Sequence, residues 1–429
     1  MKDVCGQYRC GQLKNSGAVR LDNGNVKQMS RKQLMERNCQ QRLTKIIVCT
    51  TIVLLFHRVV FLHKDMPSIK TLIKNSDKHF QWNLNVSMQD EFSSSFRHYR
   101  QRDGDRVMAT YRVSDRYSEF GVNGSLSCWN DINFKDTFME NSNVLHNYPL
   151  GTSISYLKEL GFDTDKNFLE TDNPTIPVFV TAASSNHFLE MQGLIQNLHN
   201  VVFPKYKYLK FIIYDIGLNV TELKMVQRHC RCEYRSFPFE KYPSHMKDIS
   251  GYTWKPLIAQ ILLAEFGFII WIDASIRFRS GELDGLFEMG IKYGIKIGEG
   301  SLGIGYRTDP ITFRFLGEHP CLFADKKEME TGLFLIYRTH FTVHTIMRPW
   351  LSCALTFGCM YFQGSQARIE CKESEELGTC HRFEQSVLGI ILWRLYHTDI
   401  NRVLIPRRYK IFDVQRGHIS RYFESLEKE

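Results

Sequence analysis

The sequence predicts an α/β domain, an open sheet built from βα units, over residues 173–429. Three observations carry that prediction. From Pro174 onward, short β-branched and aromatic runs alternate with helical stretches, the pattern of a sheet whose strands are joined by helices. Phe268–Ile272 is an unbroken apolar run, as expected of a strand buried on both faces. That run ends in Asp273-Ala-Ser275, and open α/β sheets bind their ligands at strand carboxyl ends.

The chain before this domain reads in three parts. Residues 1–45 hold ten Lys/Arg against three Asp/Glu and form a polar cytoplasmic tail. Most of the net charge of +9 is therefore local, which argues against a nucleic-acid-binding surface on the rest. Ile46 opens IIVCTTIVLLF, which continues to Leu62, and seventeen mostly apolar residues are the short end of a membrane span. Arg58 lies near its far end, where a long side chain snorkels to the interface. The Lys/Arg excess before this transmembrane signal anchor (46–62) predicts a type II orientation, with residues 63–429 across the membrane. Residues 63–172, charged and Ser-rich in patches, read as a lumenal stem with a small ordered part around Cys128-Trp129.

The sequons at Asn85, Asn123 and Asn219 all fall on the expected lumenal side. Eight cysteines follow the span, an even number that suits disulfides in an oxidising compartment, although their connectivity does not follow from the sequence. A Golgi or ER membrane is expected from the short span and the stem.

Within the domain, residues 176–184 (IPVFVTAAS) read as a strand and 187–201 as a helix with Phe188, Met191, Leu194, Ile195 and Leu198 on one face. A second strand at 208–217 leads to a helix at 221–230. A third strand near 232–239 leads through a Pro243-Ser-His245 loop to a helix at 253–266 and the strand carrying Asp273. Glu330 to Tyr337 reads as a strand, 381–396 as a helix, and VLIPRRYKIFDV (403–414) as a last edge strand, because Pro406 cannot donate to a ladder.

Candidate site residues follow from strand and helix ends. A transferase acting on nucleotide sugars must hold a diphosphate leaving group, commonly through Mn²⁺ or Mg²⁺, so it needs a carboxylate at a strand end. Asp273 fits that need, and Ser275 would point the same way if the chain stayed extended. Lys255, in the first turn of its helix, could contact a phosphate, with a solvated lysine as the plain alternative. Thr181 to Ser184 and Asp215 end the first two strands, where a nucleoside would lie; Asp215-Ile-Gly217 could equally be a turn. His245, in the Pro243-Ser-His245 loop, is a further candidate. Glu330 and Glu384 are the acids placed to take a proton from an acceptor hydroxyl, and for Glu384 a helix-capping role is the alternative.

Trp254-Lys255-Pro256 leading through its helix to Asp273-Ala-Ser275 resembles GT-A-type glycosyltransferases, in which a Lys-led helix feeds the strand bearing a metal-binding Asp-x-Asp. Ser275 stands in place of the second acid. More closely, VFVTAASSNHF, IIYDIGL, YPSHM, YTWKPLI, WIDASIRF, METGLF, MRPWLSCAL and CHRFEQSVLGIIL resemble an uncharacterised animal family, abundant in nematodes, of nucleotide-diphospho-sugar transferase-like proteins, over roughly residues 174–415. The resemblance implies a GT-A-like fold and transfer of a sugar from a nucleotide-sugar donor to a glycan, protein or lipid acceptor. It also implies a metal held by Asp273, and His418 as a late metal ligand; the acid-Gln pair Glu384-Gln385 is similar to one found in several such enzymes. The alternative is a non-catalytic GT-A-fold protein that binds carbohydrate or a protein partner.

Overall fold

The computed structural model of the chain describes residues 99–103, 106–148, 153–162, 174–371, 374–406 and 410–428. The expected tail, the span at 46–62 and Asn85 lie outside them. The chain divides into two compact units, Met1–Asp90 and Glu91–Glu429, and every described residue belongs to the second. Among the described residues no helix is long and apolar enough to cross a membrane.

A small antiparallel sheet comes first, formed by β1 (Tyr99–Asp103), β2 (Arg106–Arg112) and β3 (Ser125–Trp129). Helix α1 (Phe138–His146) opens on a capping box: the Thr137 hydroxyl accepts from Glu140 N at 3.2 Å, and the Glu140 carboxylate accepts from Thr137 N at 3.1 Å. Helix α2 (Ile154–Glu159) follows. These elements fall in the segment expected to be stem, and they pack on helices and a turn of the α/β region. Cys128–Cys321 links them to it, Val113 bridges Leu377, and buried Glu318 accepts from the Tyr148 hydroxyl and from Arg394 Nε.

The α/β region then runs β4 (Val178–Ala183), α3 (Phe188–Asn197), β5 (Phe211–Asp215), α4 (Val220–His229), β6 (Glu233–Ser236), α5 (Trp254–Phe266), β7 (Phe268–Ile272), β8 (Ile276–Phe278) and α6 (Asp284–Tyr293). It continues as β9 (Ile295–Gly303), α7 (Pro310–Leu316), β10 (Lys327–Tyr337), α8 (Arg348–Leu355), α9 (Phe383–Tyr396), β11 (Phe412–Val414) and α10 (Tyr422–Leu426). Six strands form one sheet in the order β6-β5-β4-β7-β10-β9. Strands β6, β5, β4 and β7 are parallel, while β10 runs antiparallel to both β7 and β9.

Strand alternation sorts the core onto the two faces of this sheet. In β7, Ile269 and Trp271 join the core with Leu257 of α5, Trp350 of α8 and Val387 of α9. Phe268, Ile270 and Ile272 join the opposite core with Met191 of α3, Val226 of α4, Phe287 of α6 and Phe423 of α10. The result is a sheet between two layers of helices, which is why β7 tolerates no polar residue until Asp273. Helix α5 stops at Gly267, whose φ of 74° is left-handed and whose N–H caps Leu263 O.

One expectation about the chain changes here, and one left open is filled in. The last edge strand does not form as one piece: Leu404 makes a single bridge to Ile297, and only β11 pairs, with β8, in a separate two-stranded ladder. The cysteines pair as Cys128–Cys321, Cys230–Cys232, Cys353–Cys359 and Cys371–Cys380.

Candidate functional site

From β4 the parallel strands step outward through β5 to β6, and the chain then crosses back to lay β7 on the other side of β4. The crevice between the carboxyl ends of β4 and β7 is thus a topological switch point, where loops diverge and leave room for a ligand. A cavity of about 500 Å³ opens there. Ala182–His187 line it from β4, Asp273–Ile276 from β7, Glu330–Leu333 from β10, and Arg382–Gln385 from the start of α9. Phe412, Val414 and Arg416–Ile419 form one wall. That wall is anchored by β11, by Gln415 N donating to Ser275 O at 2.7 Å, and by Gly417 N donating to Glu190 at 2.8 Å.

A buried charge cluster lies against this space. Lys255, whose side chain is 2% exposed, places Nζ 3.0 Å from Asp273 Oδ1 and 3.1 Å from Glu384 Oε1. Trp271 Nε1 donates to the same Asp273 oxygen at 2.7 Å, and Thr331 Oγ1 donates to Glu384 Oε1 at 2.9 Å. Lys255 also stands over the Tyr252 and Trp271 rings, at 5.6 and 5.2 Å from their centroids. Burial opposes its ammonium, but Asp273 and Glu384 outweigh that cost and hold its pKa above the ordinary lysine value. One cation therefore serves two carboxylates, of which Asp273 is the more exposed to solvent.

Two aromatic residues beside the cluster have left-handed backbones, Tyr252 with φ 51° and Phe383 with φ 41°. For bulky side chains this costs on the order of 1–3 kcal/mol each, and such strain gathers where the surroundings impose geometry. Their rings pack 6.1 Å apart, and both residues line the cavity between Lys255, Arg382 and Glu384.

Six of the residues singled out from the sequence meet at this cavity: Lys255, Asp273, Ser275, Glu330, Glu384 and His418. Others do not. Thr181 is fully buried and points away, so the strand's period of two hands its expected place to Ala182 and the loop from Ser184. Asp215 closes a turn, with Oδ1 accepting from Gly217 N and Leu218 N at 2.7 Å each and Oδ2 accepting from Tyr234 OH at 2.7 Å. His245 bonds through Nε2 to Ala354 O at 2.9 Å, away from the cavity. Arg382, Arg416 and Tyr252 line the space without having been singled out, since loops place them and loops carry no periodicity.

Residues 152–260 match a family described as protein of unknown function (DUF1647). No curated protein matches the chain. Among solved structures, the chain is similar to galactosyltransferase LgtC in complex with donor and acceptor sugar analogues, at 13% identity and TM-score 0.27 over 40% of this chain and 59% of that one. It is similar to mouse xyloside xylosyltransferase 1 in its apo form, at 10% identity and TM-score 0.32 over 54% and 85% of the two chains. Core-mannan synthase A of Aspergillus fumigatus, solved with Mn and GDP, is 8% identical, with TM-score 0.31 over 52% and 70%. The chain thus spans about three-fifths of the length of LgtC.

Mn²⁺ or Mg²⁺ held by Asp273 and His418 was the expectation for this site, and the donor set does not fit it. Asp273 Oδ1 is committed to Lys255 and Trp271, which leaves one carboxylate oxygen beside a fixed ammonium that repels a dication. Ile276 N donates to Asp273 O at 3.0 Å, so the chain turns after β7 instead of remaining extended, and Ser275 brings no charge in any case. Among the described residues no group of three His, Cys, Asp or Glu side chains is placed to hold a metal.

Glu384 makes the cluster sensitive to pH. Burial raises its carboxyl above the ordinary 4.5, Lys255 pulls it down, and Asp273 pushes it up again, with a net rise. In the window from 4.5 to that raised value the folded chain keeps a proton that the unfolded chain has lost, so this group's contribution to stability declines as pH rises. Glu384→Gln cannot ionise, and its unfolding free energy should fall less steeply with pH across that window in urea titrations. Parallel slopes for the two proteins would assign the titration elsewhere.

Proposed function

We propose that this chain is a glycosyltransferase that moves a sugar from a nucleotide-sugar donor to a hydroxyl of a glycan, protein or lipid acceptor, on the lumenal side of a secretory-pathway membrane. The observation that carries the reading is the cavity at the β4/β7 switch point, with a carboxylate, Asp273, at its strand end and cations around it. A phosphate-linked sugar needs both features. Carboxylate oxygens accept from sugar hydroxyls, and cations stabilise the departing diphosphate.

Asp273 would accept from a hydroxyl of the donor sugar, with Lys255 and Trp271 fixing its orientation. Backbone and small side chains from Ala182 to Ser185 would admit the nucleoside. Glu330 lines the wall shared with a second, adjoining cavity of about 270 Å³ formed with Arg279, Glu299, Lys410 and Phe412, which suits it to face the acceptor. In the transfer, the acceptor oxygen bonds to the anomeric carbon while the bond from that carbon to phosphate oxygen breaks. The hydroxyl proton passes to Glu330, and the nucleoside diphosphate leaves as an anion.

A nucleotide-sugar screen by thermal shift tests the reading, because ligand at a hundredfold excess over Kd stabilises by about 2.7 kcal/mol. At least one donor should raise Tm, and Asp273→Ala should remove the rise. No shift with any nucleotide sugar would refute the enzyme reading, and an undiminished shift in Asp273→Ala would take Asp273 out of the donor site.

A further inference from the structure

We propose that the donor's diphosphate is held by protein cations, Arg382 and Arg416, in place of a divalent metal ion. The inference rests on the nucleotide-sugar reading of the cavity and concerns how the same site meets the charge of its ligand.

A nucleoside diphosphate brings two to three negative charges, which must be balanced in a partly desolvated site. At Asp273 that task is already taken. The buried Lys255 ammonium sits where a bound dication would compete with it, 3.0 Å from Asp273 Oδ1, and the neutral Ser275 offers no second carboxylate. Positive charge is free elsewhere on the cavity wall. Arg382, half-buried immediately before α9, makes no side-chain hydrogen bond or ion pair among the described residues, and its Nε is buried without a partner. Nearby Arg307 is engaged by Glu328 at 2.8 Å, so it does not compete for an anion.

Arg416 lines the same cavity from the anchored wall, is exposed, and makes no ion pair among the described residues. Arg416 lies close enough for its charge to weigh on the Arg382 guanidinium. Two like-charged guanidinium groups facing one cavity repel unless an anion lies between them, and their planar forks match phosphate oxygens in a way that a point charge does not. The reach of two arginine side chains from separate segments of the lining would let them close on a diphosphate while its sugar lies toward Asp273.

Calorimetric titration of the full-length chain with UDP and with GDP, in Mn²⁺ and again in EDTA, tests this. The better-bound nucleotide should keep its Kd within about twofold when the metal is removed. Arg382→Gln and Arg416→Gln should each weaken it by about tenfold to a hundredfold, the range for losing a charged hydrogen bond. The corresponding nucleoside, which lacks the diphosphate, should bind all three proteins alike. Because Arg416 is exposed, Arg416→Gln gives a folded variant even if Arg382→Gln does not. Binding that vanishes in EDTA and returns with Mn²⁺ would overturn the inference and leave the nucleotide-sugar reading standing. Unchanged UDP and GDP affinity in the arginine variants would overturn it equally. Failure of both nucleotides to bind with or without Mn²⁺ would overturn both readings.

Discussion

Lys255→Met should lower the free energy of unfolding by about 3–5 kcal/mol, the cost of removing one partner from a buried ion pair and leaving the other uncompensated. Methionine fills nearly the same volume, so the loss reports charge and not a cavity. The side chain is 2% exposed and serves both Asp273 and Glu384, whose carboxylates would then face each other across an apolar pocket lined by the Tyr252 and Trp271 rings. Neutralising one of them should recover part of the loss, so Lys255→Met/Glu384→Gln should be more stable than Lys255→Met alone. Urea unfolding of the single and double variants measures both effects. A loss below about 1 kcal/mol would mean that the cluster is hydrated and that the charges are screened.

Glu330→Gln should lower kcat by about 10²–10⁴ while leaving donor binding close to that of the parent chain, as expected for loss of a general base on the acceptor side. Glu330 is part-exposed on the wall between the two cavities, whereas Glu384 is 7% exposed and bonded to Lys255 and Thr331. Glu384 is therefore assigned a positioning role through Lys255, and its replacement should move stability and the pH profile together with rate. Steady-state kinetics with the donor found by thermal shift would decide between the two acids. Full activity in Glu330→Gln beside a dead but folded Glu384→Gln would exchange their roles.

The α/β pattern was readable where strands are apolar and helices amphipathic. The expected helix at 253–266 is α5 less one residue, and the run 268–272 is β7 itself. The expected strand at 330–337 is the second part of β10, which begins at Lys327. Harder to read was β9, where Gly298, Gly300 and Gly303 interrupt the pattern; at Gly300 and Gly303 the side chains of Glu328 and Tyr306 pack where a Cβ would stand. The sheet β1 to β3 is short and rich in charged residues, and its stability comes from pairing and from Cys128–Cys321, neither of which a local pattern shows.

At the site, the acids at strand and helix ends were visible because such ends have an address in the sequence. Lys255 was visible as a first-turn lysine, but not as a buried one, since burial follows from the packing of Asp273 and Glu384 around it. Thr181 shows the opposite limit: a shift of one residue in a strand exchanges cavity for core.

Most of the cavity's lining is hung from the end of a strand or helix, the exception being Glu330–Leu333 in the middle of β10. For protein engineering, this separates the frame from the part that discriminates among substrates. Residues 184–187 and 417–419 could be exchanged as cassettes while Arg416, the β4–β7 pairing and the two cores stay as they are, so donor preference should be open to loop grafting at little expense in folding.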